Sequence, residues 1–327
     1  MPCSPTPERE TTRSTNTPVV IIGELNVDLI MSGCSRWPAL GAEVSVDGCT
    51  TTLGSSSAIC AVGLARLGRP VSFVGLVGQD PWGDHCVAVL EGAGVDAREV
   101  TRDPNVRTGV TVSLTSPAGR SLVTYPGATA ALTPSRLPDH LFAGRRHLHV
   151  SSFFLQCGMR SSWRSIVERV RAAGWTVSLD SGWDPDDGWC HDVRELVGLV
   201  DVFLPNDAEL AAITGCCDPL RALASLENGH TRTIVKLGAA GCMTLEGGRA
   251  VRVAPPPVVA VDTTGAGDSF NAGFLHAWLD HLPLDACLRS GVACGALSTR
   301  APGGTTAQPA AEELADSHEA RWRRARC

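Results

Sequence analysis

The chain has 327 residues, 43% of them hydrophobic and 19% charged, which is typical of a globular protein and excludes a disordered or membrane-embedded one. The formal net charge of −6, without any basic stripe, argues against a nucleic-acid partner. The 13 cysteines are scattered and include no C-x-x-C pair, so they indicate a reducing compartment, with neither a disulfide framework nor a zinc site.

The N-terminal segment, residues 1–18, is rich in Thr, Ser and Pro and predicts a flexible tail. It lacks the apolar centre of a signal peptide, and no later run approaches the 18 apolar residues of a membrane span. The sequence therefore predicts a cytoplasmic protein that does not contact a membrane.

The first strand pattern, Val19 to Gly23, is apolar and continues into G-E-L-N-V-D-L-I. Asn26 and Asp28 alternate there with apolar residues, so the period of two places both polar side chains on one face. Two interpretations remain open from these residues alone. The pair forms either a solvated strand edge or a site for ligand hydroxyl groups.

Two later stretches predict β structure outside any α/β repeat. In residues 43–52, side chains alternate between the two faces of a predicted strand with few apolar residues on either, which is typical of an exposed strand. Residues 108–125 predict a hairpin around a Pro117-Ala118-Gly119 turn. Together they predict a small β-lid on the body of the protein. The alternative is an ordinary extension at the edge of the main sheet.

The remaining chain alternates strand and helix patterns, which predicts a mostly parallel sheet with right-handed crossovers. A small-residue helix follows L-G-S-S-S and ends at Gly68. The residues that follow strand ends, such as 152–156 and 180–183, lie where ligands gather in open α/β sheets. The predicted strands are 71–78, 147–151, 176–180, 202–204, 233–237 and 258–261.

Two short motifs follow strands in the second half. Asn206 and Glu209 have the spacing of a helix capping box, and the same amide and carboxylate, one turn apart, suit Mg²⁺. In V-K-L-G-A-A-G, Gly238 and Gly241 permit the backbone to approach a nucleotide closely. Lys236 either neutralises phosphate charge or simply extends its stem along the surface.

The stretch V-V-A-V-D-T-T-G-A-G-D-S-F carries the chemistry most directly. Gly265, Ala266 and Gly267 lie between a predicted strand and a helix, where free N–H groups and the helix dipole favour an anion. Asp268 falls in the first helical turn and would repel that anion. It makes sense as a base that takes the proton from a hydroxyl attacking a phosphate.

The D-T-T-G-A-G-D-S-F string resembles the C-terminal signature of the ribokinase-like (PfkB) carbohydrate kinases, and the other motifs occur in that family's order. The resemblance spans residues 19–306. It implies a ribokinase-like three-layer α/β/α sandwich with a mostly parallel central sheet and a small β-lid. We expect a tail at 1–18, a kinase domain at 19–310 and a charged C-terminal helix at 311–327.

The resemblance also implies ATP and Mg²⁺ as cofactors, K⁺ as an activating ion, and pairing of two chains through their lids. Where ribokinase has a second Gly, a Lys and an Asn, this chain has Ser55, Ser56 and Ile59, so ribose is not assigned as the substrate. The implied roles are sugar binding by Asn26, Asp28, Gly54 and Ser55; nucleotide binding by Asn206, Glu209, Lys236, Gly238 and Gly241; Mg²⁺ binding through water by Asn206 and Glu209; and K⁺ binding by Asp262 and Thr264.

We therefore expect an ATP-dependent kinase that phosphorylates a hydroxyl of a small sugar, with Asp268 as base and Gly265, Ala266 and Gly267 as anion hole. The chain lacks the G-x-x-x-x-G-K-[ST] of P-loop kinases and a G-x-G-x-x-G after its first strand. One alternative is a nucleoside kinase that presents Tyr125, Phe153 or Trp183 to a base. The other is a catalytically silent sugar- or nucleotide-binding regulator.

Overall fold

The structure is a computed structural model that describes residues 17–116, 119–144, 146–189 and 191–315. The strands are β1 (Val19–Ile22), β2 (Asn26–Ser32), β3 (Gly48–Leu53), β4 (Val71–Gly78), β5 (Asp96–Asp103), β6 (Gly109–Ser116), β7 (Gly119–Tyr125), β8 (His147–Val150), β9 (Thr176–Leu179), β10 (Val202–Phe203), β11 (Arg232–Lys236), β12 (Cys242–Glu246) and β13 (Arg249–Val253). The helices are α1 (Ser56–Arg66), α2 (Pro81–Gly92), α3 (Ala128–Ala131), α4 (Trp163–Ala172), α5 (His191–Val197), α6 (Asp207–Thr214), α7 (Pro219–Ser225), α8 (Ala266–Leu279) and α9 (Leu284–Ser298).

The central sheet has nine strands in the order β13-β12-β11-β10-β9-β8-β1-β4-β5. All neighbouring pairs from β5 to β11 are parallel, and only the β11–β12 and β12–β13 pairs are antiparallel. The carboxyl ends of β1, β8, β9, β10 and β11 therefore meet at one edge. Ligands bind along that edge in open α/β sheets.

Helices cover both faces of this sheet, as its nearly continuous apolar strands require. Val20 and Ile22 of β1 pack into a cluster with α4, α5, α6 and α7, whereas Val19 and Ile21 pack into a second cluster with α1, α2, α8 and α9. The side chains of alternate residues in one strand thus pack on opposite faces of the sheet. The predicted three-layer α/β/α architecture is confirmed.

A second sheet of four strands, in the order β3-β2-β6-β7, forms the predicted lid. Strand β2 begins only a few residues after β1, so one continuous segment contributes to both sheets. The predicted hairpin is present as β6 and β7, although its turn residues 117 and 118 lie outside the described part of the chain. The other predicted lid strand, 43–52, is shorter and later than expected: β3 begins only at Gly48.

The predicted buried strand at 258–261 was wrong. This segment is irregular and exposed, with Val259 at 86% and Val261 at 62% relative exposure. The preceding residues 255–257 are all proline and have no N–H to donate to a ladder. The N–H groups of Val261 and Asp262 donate instead to the Thr299 carbonyl at the end of α9, at 2.7 and 3.1 Å.

The C-terminal helix was predicted at 311–327. Residues 311–315 are helical, and 316–327 lie outside the described residues, as does most of the predicted tail. In the part of the chain that the structure describes, no helix is long and apolar enough to cross a membrane.

A buried hydrogen-bond ladder joins β8 and β9 beneath the ligand edge. The Ser178 hydroxyl bonds to both His147 Nε2 and His149 Nδ1, each at 2.7 Å, and His149 Nε2 meets the Ser151 hydroxyl at 2.8 Å. Burial lowers the pKa of His149 to about 4, and it also lowers the pKa of His147 well below its ordinary value. Both imidazoles are therefore neutral at physiological pH.

Candidate active site

The turn at Gly265–Gly267 that the sequence predicts to bind an anion, called the anion turn below, lies at the start of α8 as expected. Gly265 caps α8 in the left-handed conformation, and Asp268 lies in the first helical turn. The Asp262 carboxylate holds the preceding loop by accepting hydrogen bonds from the N–H and hydroxyl of Thr264, at 2.9 and 2.8 Å, and from the Gly303 N–H at 2.8 Å. The turn is thus fixed before any ligand arrives.

Asp268 has the pKa of a base that works near neutrality. It is partly exposed, as a group that reaches a substrate must be, yet its pKa is raised to about 7. Burial is the main cause, followed by the charge of Asp180; Lys236 and a hydrogen bond from Ser56 act in the opposite direction. A base poised near the working pH suits proton transfer from a hydroxyl.

A buried ion pair supports this turn, and sequence analysis missed most of it. Lys236 Nζ donates to Asp180 Oδ2 at 2.7 Å and to Asn271 Oδ1 at 3.3 Å, and Asn271 Nδ2 donates to the same Asp180 oxygen. A Cβ atom placed on Gly267 would lie 3.5 Å from Lys236 Nζ, so the ammonium group lies beside the anion turn. Burial alone would lower the Lys236 pKa, but Asp180 and Glu209 raise it and keep the group charged.

Asn206 and Glu209 form the predicted capping box at the start of α6. The Asn206 side chain accepts from the Glu209 N–H at 2.8 Å, and Glu209 accepts from the Asn206 N–H at 2.9 Å. Glu209 is buried, and burial followed by the Asp180 charge raises its pKa to about 7. Asp268 raises it too, so the two carboxylates share one electrostatic environment.

The predicted sugar-binding side chains converge on the lid sheet. Asn26 Nδ2 donates to Asp28 Oδ1 at 3.1 Å and to Thr111 Oγ1 at 3.3 Å. Gly54 faces this pair, and a Cβ there would lie 2.2 Å from Asp28 Oδ1, so only glycine fits. Burial raises the Asp28 pKa to about 6, although Arg120 opposes the shift.

Ser55 is used differently from its neighbour Gly54. Its backbone has a φ of 73°, which is strained for a residue with a side chain. Its hydroxyl donates to the Glu24 carbonyl at 2.5 Å and accepts from the Ala58 N–H at 3.0 Å, so it caps α1. The predicted sugar contact of Ser55 stays a prediction, and its hydroxyl is already engaged.

The glycines after β11 also differ from each other. A Cβ on Gly241 would lie 1.9 Å from the Val253 carbonyl oxygen, so this glycine is required by the packing of β13. A Cβ on Gly238 would meet no atom within 4 Å, which leaves its surface open to a ligand. Of the two predicted nucleotide contacts, Gly238 has the suitable surroundings.

The lid contacts the anion turn directly. Arg120, the second residue of β7, donates from Nη1 to Thr264 Oγ1 at 2.8 Å. This contact joins residues 144 positions apart and could not be read from the sequence. The Arg120 charge also reaches Asp28, so one guanidinium lies between the sugar side and the phosphate side of the site.

The aromatic residues considered for a base-binding pocket are separated in the structure. Phe153 is buried in the core, whereas Tyr125 and Trp183 are exposed. Trp183 packs edge-to-face on Trp189, with ring centroids 5.0 Å apart. Among the described residues, no three His, Cys, Asp or Glu side chains form a metal-binding group.

Three residues of this site were missed or barely noticed in the sequence: Glu24, Asp180 and Asn271. Both acidic residues lie just after parallel strands: Glu24 is the second residue after β1, in G-E-L-N, and Asp180 is the first residue after β9. Their positions after parallel strands, at the edge of the sheet where ligands bind, could have identified them as candidate site residues. Asn271 lies one turn after Asp268 on α8 and was hidden among apolar neighbours.

Comparisons with known proteins show which family this chain is similar to. A family model described as "pfkB family carbohydrate kinase" matches residues 16–311. A fructokinase of Klebsiella pneumoniae is 34% identical, and the alignment covers 91% of this chain and 98% of the fructokinase. A 2-dehydro-3-deoxygluconokinase of Bacillus subtilis is 32% identical, and the alignment covers 80% of this chain and 85% of that enzyme. The structure of Arabidopsis thaliana ribokinase complexed with ribose and ATP superimposes with a TM-score of 0.77 at 27% identity, covering 92% of this chain and 98% of that one.

Proposed function

The chain belongs to the pfkB family of carbohydrate kinases and is a sugar-phosphorylating kinase, and we propose that Asp268 is the base that activates the sugar hydroxyl. The observation that carries this proposal is a carboxylate with a pKa of about 7 in the first turn of α8, beside the Gly265–Gly267 turn. ATP is the proposed phosphoryl donor, as in the plant ribokinase complex.

In the proposed reaction, Asp268 accepts the hydroxyl proton as the sugar oxygen attacks the γ-phosphorus of ATP and the bond to ADP breaks. Negative charge on the transferred group is stabilised by the free N–H groups at the start of α8. The Ala266 N–H already donates to the Thr263 carbonyl at 3.2 Å. Gly265 and Gly267 are therefore the stronger donors, with Ala266 contributing its small side chain.

The proposed nucleotide side comprises Gly238, Gly241 and Lys236, whose charge offsets that of the phosphates. Asn206 and Glu209 are proposed to hold Mg²⁺ through water, and the ion neutralises phosphate charge when bound. The local charge favours a divalent cation held through water, because the carboxylates of Asp180, Glu209 and Asp268 surround a single ammonium, that of Lys236, without forming a direct metal-ligand group.

Potassium at Asp262 and Thr264 fits these side chains less well. The Asp262 carboxylate already accepts three hydrogen bonds, and the Thr264 hydroxyl faces the Arg120 guanidinium. A further cation would compete with Arg120 for Thr264. We derive no step of the reaction from potassium.

On the substrate side, Asn26 and Asp28 are proposed to fix the sugar by hydrogen bonds to its hydroxyl groups, with Gly54 leaving room for the pair. A charged carboxylate that accepts O–H bonds orients a polyol firmly. The names of the two relatives point to six-carbon 2-keto compounds, fructose and 2-dehydro-3-deoxygluconate. These two compounds are the first to test.

Neither alternative function gains support from a specific contact. A nucleoside kinase would need an aromatic wall for the base, and Phe153 is part of the core. A silent regulator would have no need for a base held near neutrality beside an anion turn. We also propose a cytoplasmic location, because the ten described cysteines are all free thiols.

The test is release of ADP from ATP and Mg²⁺ with fructose, 2-dehydro-3-deoxygluconate, ribose and nucleosides, each with and without K⁺. Asp268→Asn should lower kcat by about 100-fold or more, because the amide cannot accept the proton. Glu246→Gln, an exposed carboxylate at the end of β12, is the matched control and should behave as wild type. Near-normal turnover by Asp268→Asn would refute the assignment, and a signal with nucleosides alone would make the nucleoside alternative the better one.

A further inference from the structure

One buried carboxylate near the site has no part in the proposed reaction. Glu24 lies two residues after the end of β1 and is only 2% exposed. Its carboxylate accepts hydrogen bonds from the Ser57 N–H at 3.1 Å, the Ser57 hydroxyl at 2.5 Å and the Ser152 hydroxyl at 2.8 Å. Burial raises the pKa of this carboxyl, and the hydrogen bonds from Ser57 and Ser152 oppose that shift because they favour the ionised form.

The residues tied to Glu24 have strained backbones. Ser55, which donates to the Glu24 carbonyl, has a φ of 73°, and Ser152 has a φ of 50°. Such conformations are unfavourable and persist only where the surroundings enforce them, often at functional sites. Gly23 leaves the necessary space, since a Cβ there would lie 2.0 Å from Ser57 Oγ.

This cluster leads directly to the proposed base. Ser56, the first residue of α1, lies between Ser55 and Ser57, both of which are held by Glu24, and its side chain hydrogen-bonds to Asp268. The charge of Glu24 also raises the pKa of two carboxylates of the site, those of Asp28 and Asp268. Glu24 therefore affects the electrostatics of the site as well as its packing.

We propose that Glu24 is a positioning residue for phosphoryl transfer: its carboxylate anchors the start of α1 so that Ser56 meets Asp268. The proposal rests on the assigned role of Asp268. It assigns no substrate contact to Glu24, because the carboxylate is covered by Ser57 and Ser152.

The critical variant is Glu24→Gln, which keeps the shape and one acceptor oxygen for the Ser57 N–H but removes the charge. We expect kcat to fall about tenfold, because a small displacement of a catalytic group is costly, while KM for sugar and ATP stays within about twofold. The acidic limb of the kcat–pH profile should move to lower pH. The other groups acting on Asp268, namely Asp180, Lys236, Glu209 and Ser56, are unchanged in this variant, so the shift reports the charge of Glu24.

A purely structural role would lower the melting temperature and leave the pH profile in place. Wild-type kcat together with an unmoved acidic limb in a folded Glu24→Gln protein overturns the proposal. If that protein does not fold, Ser57→Ala removes the hydroxyl hydrogen bond of the anchor and keeps both the backbone hydrogen bond and the Glu24 carboxylate. It should lower kcat without the shift to lower pH, and unchanged kcat there overturns the proposal as well. Glu246→Gln is again the control.

Different results would refute the base role of Asp268 and the positioning role of Glu24. An inactive Asp268→Asn protein beside a wild-type Glu24→Gln protein would leave the base assigned and remove the role of Glu24. An active Asp268→Asn protein would remove the base itself.

Discussion

Asp268 and Glu209 both have pKa values of about 7, and the same cause acts on each. Burial is the largest effect, and the Asp180 carboxylate adds to it, while Lys236 counteracts both. The site therefore holds carboxylates that carry their charge only partly at neutral pH. Because they interact, their titrations belong to the group and not to single residues.

This predicts how the rate depends on pH. A general base works only when deprotonated, so kcat should rise as the pH increases through about 7 and level off above it. Steady-state rates between about pH 5 and about pH 9 at saturating sugar, ATP and Mg²⁺ give the profile. A rate that stays flat down to about pH 5 would contradict a base with a raised pKa.

The same pKa predicts a stability gain when the base is removed. A raised folded-state pKa means that the folded protein holds its proton more tightly, so stability is lost as pH rises from about 4 to about 7. Asp268→Asn should therefore be more stable than wild type at pH 8, by about 1–3 kcal/mol, with little difference near pH 4. Urea unfolding at both pH values measures this, and equal stability at pH 8 would argue against a desolvated carboxylate.

Individual site residues were predictable where the signal was local. Asp268, the anion turn and the Asn206–Glu209 box depend on neighbours within one helical turn, and all lie where the sequence placed them. The partners of Lys236 did not follow from the sequence, because Asp180 is 56 positions away. The hydrogen bond that Ser55 donates likewise reaches a distant residue, because Glu24 lies 31 positions earlier.

The lid and the anion turn act on each other through Arg120 and Thr264. If this hydrogen bond helps to hold the lid closed, Arg120→Ala and Thr264→Val should each lower kcat/KM for the sugar. The double variant should lose less than the product of the single effects, with a coupling of about 0.5–3 kcal/mol. Arg98→Ala, in the exposed Arg98–Asp96 pair, is the control. Strictly additive effects would mean that the contact does not contribute to catalysis.

The histidine ladder between β8 and β9 predicts loss of stability in acid. The folded-state pKa of His149 is lowered to about 4, so the unfolded chain takes up its proton first, and stability falls as the pH drops from about 6.5 to about 4. The loss from His149 is at most about 3 kcal/mol. His149→Asn should show a shallower pH dependence in urea unfolding, whereas His281→Asn, at an exposed position, should match wild type. Identical slopes in all three proteins would contradict this origin.

Elements were predicted well where residue pattern and tertiary environment agree. Strand β4 has the predicted limits, Val71–Gly78, because its apolar run is buried on both faces. Residues 258–261 have an equally apolar pattern but no neighbouring strand, and the three prolines before them prevent pairing. Pattern alone cannot distinguish a buried apolar run from an exposed one.

At the scale of the whole molecule, the exposed edge of the lid sheet predicts that two copies of the protein associate. Strand β7 is an edge of the lid sheet and exposes Leu122, Val123 and Tyr125, and exposed apolar edges are prone to pairing. We expect a dimer in sedimentation velocity, and Leu122→Lys should shift it toward monomer. Leu220→Lys, at an exposed position on α7, is the control. A wild-type monomer at all accessible concentrations would refute pairing through the lid.

The topology of the lid has a further consequence for how the chain folds. Strand β2 is parallel to β6, and contacts such as Asn26–Thr111 join residues 85 positions apart. Closing so long a loop is entropically costly and slow, and the β4–α2–β5 unit lies between the two lid segments. Refolding should therefore restore the helical signal of the central layers before the proposed sugar-binding face exists. During synthesis, β2 has left the ribosome long before its partner β6, so the proposed sugar pocket is among the last parts of the N-terminal half to form.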